Sequence, residues 1–383
     1  MIEQENEIKK VLDNLSAPNI AVIGLTGVGK SSLINKIFGN NIATTGAGRA
    51  ITTEYTKYSP SAFDIDLPVS LYDSPGYEPG IEQGAFVKKT IDFLKYKNRQ
   101  GKEEQIHILW YLINASTARL TQADIDIIEK INHNHIPAII VLSKCDIAQP
   151  AEKEQVKKAI EETMFSKVYK IVEVAASPLT LPNGEYICEP FGMKELVNLT
   201  SELLPKTYSD ALIVAQIVDI ESKRKLAWKY IREASIACFG VGAIPIPLSS
   251  PTGAIGALGY MYNRIIVAYG HTNRALLLAI SGITLGGVRT VVTNALLDVF
   301  SLTFPGISAL TGGTAAVFTA ASGIAFTKTC ERLAIEKLSD SEGEIKQKIR
   351  EIFQEEFRNS SSLQVSKPND LDRVGTDFIN HKI

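Results

Sequence analysis

Cysteine is scarce in this 383-residue sequence, and it does not occur in pairs. The four cysteines are separated by long stretches and include no Cys-x-x-Cys; they are Cys145, Cys188, Cys238 and Cys330. A structural zinc site or a disulfide framework normally needs closely spaced cysteines. The sequence therefore predicts neither, and it is typical of a protein kept in a reducing compartment.

A surplus of basic residues is also missing. The 40 lysines and arginines are balanced by 42 aspartates and glutamates, which gives a net charge of −2, and the basic residues form no extended block. Broad binding to nucleic acid needs a concentrated positive surface, so we expect none. The acidic start of the chain, Met-Ile-Glu-Gln-Glu-Asn-Glu, lacks the pattern of a signal peptide. Together these features predict a cytoplasmic protein.

The most informative motif is a glycine-rich loop between a β-prone run, Ile20–Ile23, and a helix-compatible run, 32–38. A strand, such a loop and a helix in this order bind nucleotide phosphates, because backbone N–H groups and the helix N-terminus point at the anions. Lys30 would reach the β- and γ-phosphates, and the Ser31 hydroxyl would coordinate Mg²⁺. The residues expected around the phosphates are Gly24, Thr26, Gly27, Val28, Gly29, Lys30, Ser31 and Ser32.

A second motif follows the short apolar run 67–72 and reads Asp73-Ser-Pro-Gly76. A carboxylate at the end of a strand near the phosphate loop can hold Mg²⁺ through a water molecule. The Gly76 N–H can bond the γ-phosphate and so sense whether that phosphate is present. The sequence therefore predicts Ser31 and Asp73 as metal ligands, and Lys30 and Gly76 as residues that act on the γ-phosphate.

Two further strand ends indicate which base is bound. The apolar run 136–142 ends in Ser143-Lys144-Cys-Asp146, where a carboxylate can accept both the N1–H and the exocyclic amino group of guanine. The Lys144 stem can lie over the base. After the run 171–175, the Ala176 N–H would meet the guanine O6. Four motifs in this order favour GTP over ATP, with Mg²⁺ as the accompanying ion.

Residues 18–205 resemble the translation-factor-related class of small GTPases. The phosphate loop, Asp-Ser-Pro-Gly and the run His107–Asn114 read closest to the Era-like, immunity-related and paraseptin branches. The resemblance implies an α/β fold with a mostly parallel sheet and helices on both faces. It also implies a domain that cycles between GTP and GDP states through two switch loops.

The switch regions depart from the family pattern in ways that bear on hydrolysis. By resemblance, Thr53 in switch I would close onto Mg²⁺ and the γ-phosphate, with Thr52 as the alternative. Tyr77 stands where Ras-type enzymes carry the glutamine that orients water, so we expect slow intrinsic hydrolysis. A group supplied in trans, by a partner or a second G domain, would then assist. Arg49 and Arg119 are the candidate arginines, although each is more typical of a solvated loop charge.

The second half of the chain has a different composition. The range 208–233 predicts one long helix. Two later stretches, 234–263 and 299–327, contain no charged residue and are interrupted by prolines and glycines. A membrane span needs about 20 mostly apolar residues. Three interpretations remain: a buried helical core, which we favour; reversible or hairpin-type association with the inner face of a membrane; and true spanning helices.

Residues 210–335 also resemble a helical domain of unassigned function that follows the G domain in some bacterial GTPases. The resemblance depends on Ile244-Pro-Ile-Pro247, Met261-Tyr-Asn-Arg-Ile265 and Tyr269-Gly270, and it departs at Ser249-Ser-Pro251. It implies an all-α domain, here rich in glycine and alanine. It names no activity.

These signals divide the chain into four parts. We expect an N-terminal lead-in at 1–17, a GTP-binding domain at 18–205, a helical domain at 206–358 that includes an amphipathic helix at 344–357, and a flexible tail at 359–383. A two-domain chain is also what the length favours.

The sequence thus predicts a GTPase that acts as a molecular switch. Its helical domain would report the nucleotide state by self-assembly, including a homodimer through G domains, or by contact with a membrane or protein partner. Two alternatives stay open: a ribosome-associated assembly GTPase of the Era-like kind, and a GTP-binding scaffold with negligible hydrolysis.

Overall fold

The structure is a computed structural model, and it describes residues 11–39, 42–43, 55–59, 61–62, 65–75, 83–117, 119–133, 137–163, 170–177, 179–180, 188–240, 254–269, 312–335, 342–360 and 363–383. The chain divides into two compact units. The sheet unit spans Leu15–Asp219, and the helical unit combines Met1–Asn14 with Ile220–Ile383. Thr53, Gly76 and the other switch residues named above lie outside the described residues, as do residues 241–253 and 270–311.

The described strands of the sheet unit form a mostly parallel six-stranded sheet and a separate antiparallel pair of short strands. They are β1 (Asn19–Gly24), β2 (Thr56–Tyr58), β3 (Ser61–Ala62), β4 (Ile65–Asp66), β5 (Ser70–Asp73), β6 (Ile108–Asn114), β7 (Ala138–Ser143) and β8 (Lys170–Glu173). Six of these lie in the order β2-β5-β1-β6-β7-β8, and each neighbouring pair is parallel except β2 and β5. The carboxyl ends of β5, β1, β6, β7 and β8 therefore meet at one edge.

Helices cover both faces of this sheet. They are α1 (Lys30–Phe38), α2 (Gln83–Arg99), α3 (Gln122–His133), α4 (Pro150–Thr163), α5 (Met193–Leu203) and α6 (Lys206–Ala215). Because successive strand residues point to opposite faces, Ile20 and Val22 pack with α1, α5 and α6, while Ala21 and Ile23 pack with α2, α3 and α4. The expected α/β fold is confirmed.

The boundary of the sheet unit lies later than the sequence suggested. We expected a helical domain from residue 206, but α6 buries Leu212 and Ala215 in the same core as α1 and α5. The expected long helix is also interrupted at Gln216. Its side-chain oxygen accepts hydrogen bonds from the N–H groups of Val218 and Asp219, each at 2.7 Å. A side chain that satisfies backbone donors in this way ends one helix and starts the next.

The described part of the helical unit is α-helical. Its helices are α7 (Ile220–Gly240), α8 (Ala254–Tyr269), α9 (Gly312–Ile335), α10 (Glu342–Ser360) and α11 (Asp370–Ile379). None of the helices in the described ranges is long and apolar enough to cross a membrane. A Cβ added to Gly323 would lie 2.6 Å from Ile231 Cγ1 and 2.9 Å from Met261 Sδ. The small residues of α9 therefore allow close contact with α7 and α8.

The C-terminal segment is folded where the sequence suggested a flexible tail from residue 359. Leu371, Val374 and Phe378 form the buried face of α11. A Cβ added to Gly375 would lie 2.1 Å from Trp228 Nε1, so α11 packs closely against α7. The polar composition of 359–373 suggested a loose segment. The apolar spacing at 371, 374 and 378 is the helical signal that outweighs it.

The helical unit contains a buried ion pair. Arg224 of α7 donates from Nε to Glu331 Oε1 of α9 at 2.9 Å, and its NH2 group donates to Glu331 Oε2. The Tyr269 hydroxyl also donates to Glu331 Oε1, at 2.8 Å. The Arg224 guanidinium contacts His381 Nδ1 and lies 5.6 Å from the centre of the Phe378 ring. One charged side chain therefore connects α7, α9 and the C-terminal segment.

His107 holds together the sheet edge opposite the carboxyl ends. Its Nδ1 accepts a hydrogen bond from the Asn19 N–H at 2.9 Å, so Nε2 carries the proton that is donated to the Lys102 carbonyl at 3.1 Å. The imidazole also packs against the Tyr208 ring of α6, with ring centres 4.1 Å apart. Burial lowers the pKa of His107, against the opposing effect of the Lys102 hydrogen bond.

We expect the sheet unit to lose stability in mild acid through His107. Because the folded state lowers this pKa, the contribution is present above about pH 6.5 and is lost as the pH falls through the folded-state pKa. His107→Gln should lower the free energy of unfolding at pH 7.5 and flatten its pH dependence between pH 7 and 5. Urea unfolding followed by Trp110 fluorescence in a Trp228→Phe background measures both. An unchanged slope in the variant would show that His107 does not titrate with unfolding.

Candidate functional site

The glycine-rich loop connects β1 to α1 at the carboxyl edge of the sheet. Gly27 and Gly29 have φ angles of 74° and 98°, in the left-handed region that side chains disfavour. Gly24 is required for another reason, because a Cβ there would lie 2.5 Å from the Leu112 carbonyl oxygen. No described side chain caps the start of α1 at Gly29. An uncapped helix N-terminus behind a glycine turn is suited to bind an anion.

Lys30 is buried at the centre of this loop. Its Nζ donates to the carbonyl oxygens of Gly24 at 2.9 Å and Leu25 at 3.2 Å. Burial lowers the pKa of the Lys30 ammonium, and the nearby Asp73 carboxylate opposes that shift. An ammonium held by neutral carbonyl groups gains from a phosphate, which would supply the compensating negative charge.

Asp73 and Ser31 form an oxygen-lined position beside Lys30. The Ser31 hydroxyl lies 3.5 Å from Asp73 Oδ2, while Asp73 Oδ1 is buried and has no hydrogen-bond partner among the described residues. Burial raises the pKa of Asp73 to about 6, although Lys30 and the Ser31 hydroxyl act to lower it. Hard cations such as Mg²⁺ prefer carboxylate and hydroxyl oxygens and usually keep several waters. These two side chains therefore fit a magnesium ion.

The next strand ends place Lys144 and Asp146 at the same edge. The Ser143 hydroxyl donates to the Ile113 carbonyl of β6 at 3.2 Å, and the Cys145 N–H donates to the Val174 carbonyl at 3.2 Å. Lys144 adopts a φ of 57°, a left-handed conformation that is uncommon outside glycine. The loop is thus tied to both neighbouring strand ends, and it leaves Asp146 partly exposed.

A contact that the sequence did not predict orients Asp146. The Leu179 N–H donates to Asp146 Oδ2 at 3.1 Å, across 33 positions of the chain. Ala176 precedes this segment and follows Ala175, which exchanges two backbone hydrogen bonds with Phe191 at 3.1 and 3.2 Å. A contact between residues so far apart leaves no local pattern in the sequence. The segment expected to reach the guanine O6 is therefore also the segment that holds Asp146.

The structure brings together most of the predicted site residues. The phosphate loop, Asp73, the Ser143–Asp146 loop and Ala176 all lie at the carboxyl ends of neighbouring strands. Thr53 and Gly76, predicted to act on Mg²⁺ and the γ-phosphate, lie outside the described residues. Arg119 is exposed on the segment after β6. Ligands bind at this edge in open α/β sheets, because the loops that follow the strands converge there.

Comparison with known proteins agrees with this geometry. Residues 19–144 match the model of a family described as 50S ribosome-binding GTPase, which covers about one third of the chain. Septin CDC11 of Candida albicans is 25% identical over 168 residues, covering 38% of this chain and 42% of the septin. The tRNA modification GTPase MnmE of Clostridioides difficile is 25% identical over 180 residues, covering 43% of this chain and 35% of that protein.

Two further proteins also match part of the chain. GTPase Der of Bacteroides fragilis is 27% identical over 181 residues, covering 46% of this chain and 39% of Der. The structure of Aquifex aeolicus Era bound to GDP·AlF4⁻ is 17% identical, with a TM-score of 0.37, and covers 58% of this chain and 68% of that one. The chain spans about a third to a half of the length of the curated relatives it matches. The sheet unit has the fold of a P-loop GTPase.

Proposed function

We propose that this protein binds GTP with Mg²⁺ and hydrolyses it slowly to GDP and phosphate, acting as a molecular switch. The observation that carries the proposal is the buried Asp73 carboxylate, whose Oδ1 has no hydrogen-bond partner among the described residues and which lies beside the Ser31 hydroxyl and the Lys30 ammonium. Burying a carboxylate with one oxygen unsatisfied costs free energy, which a bound ligand would offset. A metal–nucleotide complex at this position would satisfy all three groups.

Each part of the edge has a proposed role in binding. The loop from Gly24 to Ser32 would surround the phosphates with backbone N–H groups, and Lys30 would exchange its carbonyl partners for phosphate oxygens. Lys144 would cover the base, while Asp146 and the Ala176 N–H would recognise the guanine edge. These roles agree with the positions of the residues at neighbouring strand ends.

The hydrolytic step would use Ser31, Asp73 and Lys30, the residues around the proposed Mg²⁺ position. Bound Mg²⁺ would neutralise charge on the β- and γ-phosphate oxygens. Ser31 would contact the ion directly and Asp73 would hold one of its waters, while Lys30 would stabilise charge on the oxygens between the last two phosphates. We also assign Thr53 as the switch I ligand, with Thr52 as the alternative, and the Gly76 N–H as the group that senses the γ-phosphate.

Replacing Asp146 with asparagine should change the preferred base from guanine to xanthine. Asp146→Asn keeps one acceptor but replaces the second with an NH₂ donor. We expect the new carbonyl to retain the Leu179 N–H, so the NH₂ group faces the base and meets the C2 carbonyl of xanthine rather than the guanine amino group. GTP affinity should fall by at least about 100-fold, and XTP affinity should rise. Titration with fluorescent GTP and XTP measures both changes.

Two controls make this test specific. Asp126→Asn changes a partly exposed carboxylate on α3 that accepts a hydrogen bond from Gln122, and it should alter neither affinity. Lys30→Ala should weaken GTP and XTP alike, because the phosphates are common to both. If wild-type protein prefers ATP or binds no nucleotide, the proposal is wrong. If Asp146→Asn loses GTP without gaining XTP, the residue supports the loop but does not read the base.

The output of the switch is the finer part of the proposal. We propose that the helical unit reports the nucleotide state by self-assembly, including a homodimer through the sheet units, or by contact with a membrane or protein partner. Arg119 and Arg49 are candidates to assist hydrolysis from a second copy, and Arg119 is exposed. Turnover per molecule measured across a wide range of protein concentrations, with and without liposomes, tests this output. Flat turnover under all conditions would favour the GTP-binding scaffold.

A ribosomal role is the second candidate, because the matching family is described as ribosome-binding. The near-neutral charge of the chain weakens it, since binding to RNA usually needs a basic surface. Cosedimentation with 50S subunits in GTP but not in GDP would favour this role. Cosedimentation independent of nucleotide would not.

A further inference from the structure

Tyr55 packs closely against Phe93 near Asp73, a proposed Mg²⁺ residue. It directly precedes β2, where Thr56 pairs with Asp73 in antiparallel register. Its hydroxyl donates to Thr90 Oγ1 of α2 at 3.0 Å. Its ring lies parallel to the Phe93 ring of α2, with ring centres 3.8 Å apart and planes inclined by 3°. Tyr55 therefore fixes the start of β2 to α2 through two independent contacts.

Phe93 also contacts β5, the strand that carries Asp73. The Phe93 ring lies 5.7 Å from the ring of Tyr72, the neighbour of Asp73 in β5. Phe93 thus packs against Tyr72 in β5 and against Tyr55, which directly precedes β2. Thr90 is fully buried, and its hydrogen bond with Tyr55 is partly buried. A shift of β2 relative to β5 would disturb these contacts together.

We propose that Tyr55 is a positioning residue for Asp73 and, through it, for the magnesium ion of the nucleotide complex. This inference rests on the proposed function. In this proposal Tyr55 acts through Asp73 and is not itself a ligand of the nucleotide or the ion. It holds β2 in register against β5, and the β2–β5 pair keeps the Asp73 carboxylate buried beside Ser31. The ion would therefore depend on a side chain that adjoins the Thr56–Asp73 pair without being a ligand itself.

The inference predicts a change in magnesium dependence that a purely structural residue would not cause. Tyr55→Ala removes both contacts and should raise, by about 10-fold or more, the Mg²⁺ concentration that half-maximally slows the release of fluorescent GDP. At saturating Mg²⁺ the release rate should return to within about threefold of wild type. Tyr55→Phe keeps the ring contact and loses only the hydrogen bond, so its shift should be about two- to fivefold.

A double-mutant cycle connects this effect to the Thr90 contact. Thr90→Val should shift the Mg²⁺ midpoint as Tyr55→Phe does, and the double variant should shift it no further, because both changes remove the same hydrogen bond. Tyr111→Phe is the matched control, since it removes another buried tyrosine hydrogen bond, at 2.7 Å to Asp124. It should lower stability without moving the Mg²⁺ midpoint.

The outcomes separate this inference from the proposed function. Nucleotide release that is independent of Mg²⁺ in wild type would overturn both. Magnesium-dependent release in wild type with unchanged midpoints in Tyr55→Phe, Thr90→Val and Tyr55→Ala would overturn the Tyr55 role alone. If Tyr55→Ala does not fold, the cycle of the two milder variants decides. Amide hydrogen exchange in nucleotide-free protein should show faster exchange in β2 of Tyr55→Ala, with β7 unchanged.

Discussion

Asp73→Asn should make the nucleotide-free protein more stable while it weakens the magnesium–nucleotide complex. The pKa of Asp73, raised from 3.8 to about 6, means that folding disfavours the ionised carboxyl by about 3 kcal/mol at neutral pH. A neutral side chain of the same shape should recover about 1 to 3 kcal/mol of the free energy of unfolding. The Mg²⁺ requirement for nucleotide retention should rise by about 10- to 100-fold.

The pH dependence of this gain provides a second measurement. Because the pKa of Asp73 is higher in the folded state, its favourable contribution is complete below about pH 4 and is lost as the pH rises through about 6. The stability difference between Asp73→Asn and wild type should therefore grow between pH 4 and pH 7. Urea unfolding of nucleotide-free protein at several pH values measures it. A variant less stable than wild type at pH 7.5 would contradict the conclusion that burial of the ionised Asp73 carboxylate destabilises the nucleotide-free fold.

Asp124→Asn is the matched control. Asp124 is also a buried carboxylate of the sheet unit, but it accepts hydrogen bonds from the Tyr111 hydroxyl at 2.7 Å and from the Thr121 N–H and hydroxyl at 2.8 and 2.7 Å. Replacing it should destabilise the fold by about 1 to 3 kcal/mol and leave the Mg²⁺ dependence unchanged. Two buried aspartates of one unit should thus respond in opposite directions to the same substitution.

Arg224→Ala should destabilise the helical unit severely. The change leaves the Glu331 carboxylate, which is 6% exposed, with the hydrogen bond from the Tyr269 hydroxyl but without the guanidinium charge. Removing one partner of a buried ion pair typically costs about 3 to 5 kcal/mol, because the other charge stays desolvated. The variant also loses the Arg224 contacts with Phe378 and His381. We expect α11 to lose its packing against α7 at a lower denaturant concentration than in wild type.

Trp228 reports this loss directly, because its ring packs against Phe378 at 6.0 Å and against Gly375. The chain has two tryptophans, so a Trp110→Phe background isolates the signal. Arg332→Ala, on α9, is the control: its side chain is 41% exposed and pairs with Glu355 at 2.9 Å and Glu356 at 3.1 Å, and its loss should cost less than about 1 kcal/mol. Equal losses in the two arginine variants would show that burial does not determine the strength of the Arg224 pair.

Local patterns in the sequence were enough to predict which residues lie at the carboxyl edge of the sheet. The phosphate loop occupies nine consecutive residues from Gly24 to Ser32, and each of its parts is specified by its own neighbours. Asp73 and Asp146 each follow an apolar run, so their positions at strand ends followed from strand periodicity. The parallel order of the strands then brought these separate signals to one edge.

The limits of the helical unit could not be predicted in the same way. Composition placed its start at residue 206, whereas the core contacts of Leu212 and Ala215 assign α6 to the sheet unit. Composition also suggested a loose tail, whereas Phe378 and Gly375 pack against Trp228. The average polarity of a segment hides apolar residues that recur at every third or fourth position and form one face of a helix.

The sequence by itself determined the chemistry of this protein: the phosphate loop, the acidic strand ends and the expected ligand, GTP with Mg²⁺. Only the tertiary structure decided what holds that chemistry in place. Tyr55 stacks on Phe93 across 38 positions, Leu179 binds Asp146 across 33, and Arg224 pairs with Glu331 across 107. The physical reason is the range of the interactions. Backbone turns and strand ends depend on adjacent residues, whereas stacking, orientation and buried charge pairing depend on which distant residues the fold brings within a few ångströms.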